Sequence, residues 1–214
     1  MYKRQLLPEA ITSERLLLAP GERADAVLSP TGDPGAELAL RWIPFDRGYG
    51  STEFREPVDV MVMRFVDAPA VTPPPPPTVT RAIEPLDISD ATPVELELTQ
   101  NDEAATLELG INGVPSWEAE PLMAQVNETQ IWTVTNHMDW SHPFHLHGFF
   151  FQPLEEDGTP RQPLEWKDTV DVPFGDGRQR FAVRYDDRAG MWMFHCHILD
   201  HADAGMMGML HLMR

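Results

Sequence analysis

MWMFHCHILDHADAGMMGML, residues 191–210, is the stretch on which the rest of the chain is organised. It holds the only cysteine, Cys196, between His195 and His197, with His201 and Met206 a short step further on. A thiolate, an imidazole and a thioether at these intervals can gather round one soft metal ion. Side chains alternate faces along a strand, so His195 and His197 share one face and Cys196 takes the other.

Upstream, a second cluster reads His142-Pro143-Phe144-His145-Leu146-His147-Gly148. Six of the eight histidines fall in these two clusters; His137 and His211 stand apart and receive no role. Buried imidazoles each need partners, so such clustering beside a lone cysteine points to metal. His145 and His147 share a face with Cα atoms roughly 7 Å apart, and His195 and His197 form a similar pair. Each pair can serve a multinuclear site on one side of the sheet. Cys196 looks the opposite way, towards His201, Met206 and His142. Two histidines, a cysteine and a weak axial methionine form the ligand set of a blue-copper site. Zinc is the rival metal, but a closed zinc site does not use a thioether. The other reading of Met206 is a core methionine, since Met207 and Met209 lie beside it and methionine fills gaps.

Outward from these motifs the chain reads as short strands. Val94–Leu98, Leu107–Ile111, Gln130–Thr135, Phe144–Leu154, Thr169–Val172, Arg180–Tyr185, Met191–Cys196 and Gly208–Met213 are separated by turn residues such as Asn112-Gly113 and Asp157-Gly158. Eight strands at this spacing fit a Greek-key barrel or sandwich over residues 83–214. One short helical turn after Cys196 is expected, because His201 must fold back.

Residues 1–68 also look β-rich. Leu16–Ala19, the turn Pro20-Gly21-Glu22-Arg23, and Ala24–Leu28 read as strand, turn, strand. Leu38–Ile43 and Val58–Val66 are further strands, the latter with both faces covered. About four strands are fewer than the roughly seven of a sandwich, so this region reads as the tail of a domain whose first part is missing. A small β appendage is the alternative. Met1–Gln5 reads as sequence foreign to the gene, of a sequencing-adapter type, and the start as a cut. Between the two regions, residues 69–82 contain Pro73–Pro77 without a break, which favours an extended polyproline linker.

Composition narrows the partners. A formal net charge of −18 argues against nucleic acid and anionic membrane surfaces. A single cysteine excludes an internal disulfide, and no apolar run reaches the length of a membrane span.

HPFHLHG together with HCHILDHADAGM resembles the C-terminal signature of multicopper oxidases, the family of laccases, bilirubin oxidases, ascorbate oxidases and cuprous oxidases. Ile111-Asn112-Gly113, Trp166–Val170 and Gly190–Phe194 look familiar too, and PGERAD at Pro20–Asp25 is similar to the end of the family's middle domain. The resemblance implies a cupredoxin-like Greek-key β-sandwich preceded by a partial second cupredoxin-like domain. By position it implies that His142, Cys196 and His201 bind a type 1 copper with Met206 axial. It implies His145 on a type 2 copper, and His147, His195 and His197 on a type 3 pair. The reaction implied is oxidation of phenols or metal ions at the type 1 copper, coupled to reduction of O2 to water at the trinuclear cluster. His201, Cys196, His195 and His197 would carry the electrons. A periplasmic or secreted location is implied as well.

Two departures matter. The family's cluster takes eight histidines, half from an N-terminal domain with two more His-x-His motifs, which this sequence lacks. A longer gene, or another subunit, would supply the rest; the chain alone is expected to be inactive. Several bacterial members also place a carboxylate directly after the residue matching His201, where this chain has Ala202; Asp200 and Asp203 read as solvated acids. A non-enzymatic type 1 copper protein, serving electron transfer or copper binding, is the competing reading. A copper nitrite reductase is a weaker third, since paired HLH and HCH motifs belong with an oxygen-reducing cluster.

Overall fold

The computed structural model describes residues 11–28, 30–48, 55–68 and 82–214. Residues 82–214 form two five-stranded sheets. One has the order β4 (Leu109–Ile111), β3 (Thr92–Gln100), β6 (Thr129–Asn136), β10 (Gly177–Arg184), β8 (Phe151–Leu154). The other runs β5 (Leu122–Gln125), β12 (Met207–Met213), β11 (Gly190–Cys196), β7 (His142–Leu146), β9 (Thr169–Val172). The pairs β3–β6 and β5–β12 are parallel and the rest antiparallel. This is the cupredoxin-like β-sandwich, and its Greek-key crossovers place sequence-distant strands side by side.

The core lies between the sheets. Alternating residues of each strand point inward, as Leu96, Leu98, Trp132, Val134, Phe144, Leu146, Phe194 and Cys196 do. Trp132 is its centre: Phe194 meets it edge-on at 5.1 Å, and Phe144 and Phe181 lie at 6.0 and 5.9 Å. Truncating one such ring costs about 3–5 kcal/mol. The polar atoms carried into this core are paired. Trp132 Nε1 and Tyr185 OH both donate to Gln130 Oε1, at 2.9 and 2.7 Å.

Ten strands form where the sequence suggests eight. Phe144–Leu154 is not one strand: the left-handed Gly148 (φ 79°) ends the run after β7, and β8 pairs in the opposite sheet. β5 joins β12 through parallel pairing with the far end of the chain, a contact its four residues do not advertise. The Asn112-Gly113 turn forms with positive φ at both residues, and the helical turn after Cys196 is α1 (Leu199–Asp203).

Among the described residues before Asp67, two strands form, β1 (Glu37–Trp42) and β2 (Val58–Arg64), as an antiparallel ribbon. Leu16–Ala19 and Ala24–Leu28 are not strands. Ala19 uses both its backbone groups on Glu22: its carbonyl accepts the Glu22 N–H, and its own N–H donates to the Glu22 carboxylate. That leaves this segment as a turn with no ladder partner among the described residues. Both faces of β2 are exposed, not covered. The proline run and Met1–Gln5 lie outside the described residues. No helix among the described residues is long and apolar enough to cross a membrane.

Candidate metal centres

Strand parity separates two groups of donors. In β11, Phe194 and Cys196 point into the core while His195 points out; in β7, His142, Phe144 and Leu146 point in while His145 points out. The register sets His145 directly opposite His195, and Phe144 opposite Cys196. The two HxH motifs thus meet on the outer face of one sheet, and the cysteine meets His142 on the inner side.

The inner group is His142, Cys196 and His201. Cys196 Sγ lies 3.7 Å from His142 Nδ1 and 3.7 Å from His201 Nδ1, and the two nitrogens are 3.1 Å apart. With bonds of about 2.0 Å to nitrogen and 2.3 Å to sulfur, three donors around one ion stand about 3.3–3.5 Å (N–N) and 3.5–3.8 Å (N–S) apart. The donor set therefore fits one ion with a movement of a few tenths of an ångström. The buried Nε2 of His142 has no hydrogen-bond partner among the described residues, and its Nδ1 is the atom turned towards the other donors.

Met206 is fully buried next to this group. Its N–H donates to the His201 carbonyl and its carbonyl accepts the Cys196 N–H, at 3.0 and 3.1 Å. The α1 turn thus ties His201, Met206 and Cys196 together by backbone. The loop before His142 is held as firmly. Buried Asn136 donates to the Trp140 and Pro173 carbonyls and accepts the Met138 N–H. Arg47 donates to the Ser141 carbonyl at 2.6 Å. The Trp140 ring lies 5.7 Å from that of His201 and 6.4 Å from that of His142.

Electrostatics suit a cation. Burial pushes His142 down to about 3, with the neighbouring His201 and Arg47 adding to it. His201 is lowered by burial too. Both imidazoles are neutral at physiological pH and offer lone pairs. Burial pushes the Cys196 thiol up to about 12, so it keeps its proton until a metal charge displaces it.

The outer group is His145, His147 and His195. His145 Nδ1 lies 2.7 Å from the Asp168 carbonyl, and His195 Nδ1 lies 2.7 Å from the Cys196 carbonyl. A carbonyl can only accept, so both Nδ1 atoms carry the proton and both Nε2 atoms present lone pairs. His147 Nε2 is 3.0 Å from His195 Nε2. The His197 ring lies 5.3 Å from that of His145 and 5.5 Å from that of His195, at the rim of the group. Burial lowers His145 to about 4 and also lowers His147. His147 is exposed and the other three are half-buried, so this face opens outward.

All eight residues expected from the sequence thus lie in or beside these two groups. His137 pairs with Asp176 and His211 sits on β12, away from both. Asp200 and Asp203 are exposed and Ala202 is buried. The sequence reading missed Arg47, Trp140 and the Asp168 carbonyl. Trp166–Val170 and PGERAD were visible as motifs, but nothing in their spacing says that they touch.

The profile of a family described as "Multicopper oxidase" matches residues 87–212. A laccase of Haloferax volcanii is 30% identical over 213 residues, covering 91% of this chain and 34% of its own length. A Bacillus subtilis laccase is 27% identical, covering 94% of this chain and 43% of its own. Among solved structures, the 2F4 variant of the McoA multicopper oxidase from Aquifex aeolicus superposes with a TM-score of 0.71 at 25% identity, over 86% of this chain and 42% of that one. The chain spans well under half the length of each.

Proposed function

The chain belongs to the multicopper oxidase family, and from that premise we propose that it is the C-terminal part of a laccase-like copper oxidoreductase. The observation that carries this reading is the parity of Cys196 with its two neighbours, which sends a thiol to one donor group and imidazoles to the other. His142, Cys196 and His201 would hold a type 1 copper, with Met206 as a further ligand; His145 a type 2 copper; His147, His195 and His197 the type 3 pair. Copper bound there would supply one-electron oxidation of a phenol, Cu(I) or Fe(II) at the first centre and four-electron reduction of O2 to water at the second.

The chain's own residues set the conditions. His201 is half-exposed while His142 and Cys196 are buried, so His201 is the edge at which a reductant can approach. Phe144 and Phe194, buried between the sheets, exclude water behind Cys196. The peptide bonds from Cys196 to His195 and His197 give a short through-bond route between the two groups. The Asp168 and Cys196 carbonyls keep Nδ1 of His145 and His195 protonated, which leaves Nε2 for a ligand.

The outer group holds at most half of an eight-histidine cluster and faces outward, so a preceding domain or another subunit would complete it. Residues 1–68 would be the end of a middle cupredoxin-like domain, joined through the linker 69–82 to the copper domain 83–214. Leu40, Trp42, Val58, Val60 and Val62 of the β1–β2 ribbon are exposed, as expected of strands whose neighbours lie elsewhere. A periplasmic or secreted location goes with this reading.

One observation favours a second reading, a non-enzymatic type 1 copper protein: His142, Cys196 and His201 stand together among the described residues, whereas the outer group would need further histidines from elsewhere. Copper loading with visible spectroscopy and oxygen uptake separates the two. The chain alone is expected to turn intensely blue without consuming oxygen. The upstream gene is expected to encode two further His-x-His motifs, and the longer protein to consume oxygen with a phenol or a reduced metal ion. Blue colour with no such motifs upstream would favour the carrier, and no blue colour would sink both.

A further inference from the structure

The turn at Ala19–Arg23 reaches across 145 residues to Asp168, at the entry to β9, the strand paired with the one that carries His145. Arg23 Nη1 and Nη2 donate to Asp168 Oδ1 and Oδ2 at 2.7 and 2.8 Å, a two-pronged fork. Next to it, Lys167 donates to Glu22 at 2.5 Å. The neighbouring pairs have opposite polarity, Glu22 on Lys167 and Arg23 on Asp168, so a slip by one residue would set like charges together. The Asp168 carbonyl accepts the His145 Nδ1 proton, and Thr169 Oγ1 is 3.0 Å from that nitrogen while donating to Asp168 Oδ1. On the other side of the turn, the His197 ring occupies the space a Cβ would need at Gly21, whose φ is +87°. One five-residue turn therefore bears on two imidazoles of the outer group, through a guanidinium fork and through a missing side chain.

We propose that this turn aims the outer histidine face, with Arg23 and Gly21 as positioning residues for His145 and His197. The inference rests on the copper reading only in taking that face as a metal site. Exposed ion pairs contribute little to stability as a rule, but a bidentate fork that fixes the orientation of a ligand's partner acts on geometry. Removing the group that directly holds a ligand histidine's second ring nitrogen changes metal affinity by about 10–100-fold; Arg23 stands one step behind such a group, so its removal is expected to give the low end of that range or less. Arg23 touches no donor atom; it acts through Asp168.

The test compares R23Q, R23K and, as a control on a distant ion pair, R41Q, which breaks the Arg41–Asp59 pair on the β1–β2 ribbon. Nitrogen NMR on the metal-free chain reads the His145 tautomer and the exchange rate of its Nδ1 proton. The wild type and R41Q are expected to hold one tautomer with slow exchange. R23Q is expected to show mixed tautomers and faster exchange, and R23K an intermediate state, because lysine keeps the charge but not the fork. Cu(II) titration is then expected to give R23Q weaker non-blue binding, by up to about 10-fold, with the blue band unchanged. An unchanged tautomer and exchange rate in R23Q, or loss of blue and non-blue binding in parallel, would overturn the proposal. The NMR comparison needs no metal, so it decides the positioning role separately from whether copper binds.

Discussion

Cys196 Sγ and His142 Nδ1 lie 3.7 Å apart, although 54 residues separate them and they sit on adjacent strands of one sheet. The pairing of Cys196 with Phe144, two residues from His142, brings them together. C196S is the direct test. Serine fits the space but cannot give a thiolate, so the intense visible band of the copper-loaded chain should vanish. The metal-free fold should survive with a loss of about 1–3 kcal/mol from the buried hydroxyl, read by denaturant unfolding.

Acid should weaken the metal-free chain in a defined window. The His142 pKa in the fold is pushed by burial to about 3, against 6.5 for the free side chain. Between these values the unfolded chain binds the proton and the folded chain does not. Stability is then full above 6.5 and is lost as pH falls through the folded value. His145, lowered to about 4, acts in the same direction. Unfolding midpoints measured across this range should fall steadily, and H142Q should flatten the slope. A flat wild-type profile would refute the assignment.

Gly205 precedes Met206 at φ +113°, and a Cβ there would collide with the Leu109 carbonyl oxygen. The flanking backbone cannot yield freely: Leu109 N–H donates to the Ala204 carbonyl and Ser116 N–H to that of Gly205. G205A should cost about 1–3 kcal/mol and also shift the blue spectrum, because Met206 must move. Gly113 has positive φ but open space around it, so G113A should destabilise without changing the spectrum.

Phe194 supports the site from behind. It packs edge-on against Trp132, and Gly208 on the neighbouring strand leaves room for its ring. F194A should destabilise by about 3–5 kcal/mol and broaden the spectrum. F194L should cost less and keep the colour, as calorimetry and absorption would show.

The donor residues were legible because their chemistry is rare and their parity is fixed by strand geometry. Thr169–Val172 was also read with its observed bounds, since turn residues flank a short apolar run. What escaped depends on partners far along the chain. β5 exists because β12 offers it an edge, and Leu16–Ala19 fails as a strand because nothing among the described residues pairs with it. Gly148 could have been read as a break, but the apolar residues on both sides of it disguised a change of sheet as a continuous strand. Arg47 and Arg23 look like ordinary surface charges until the fold shows which loop each one holds.

His195, Cys196 and His197 are consecutive, so the separation of the two donor groups is set by covalent bond lengths and the pleat of one strand. Substitutions elsewhere can loosen either group or tilt its rings. They cannot move the groups apart along this route without breaking the strand. Under the proposed function, the span an electron would cross is thereby written into the backbone as a fixed length, while the driving force for crossing it would stay open to tuning by the residues around each end.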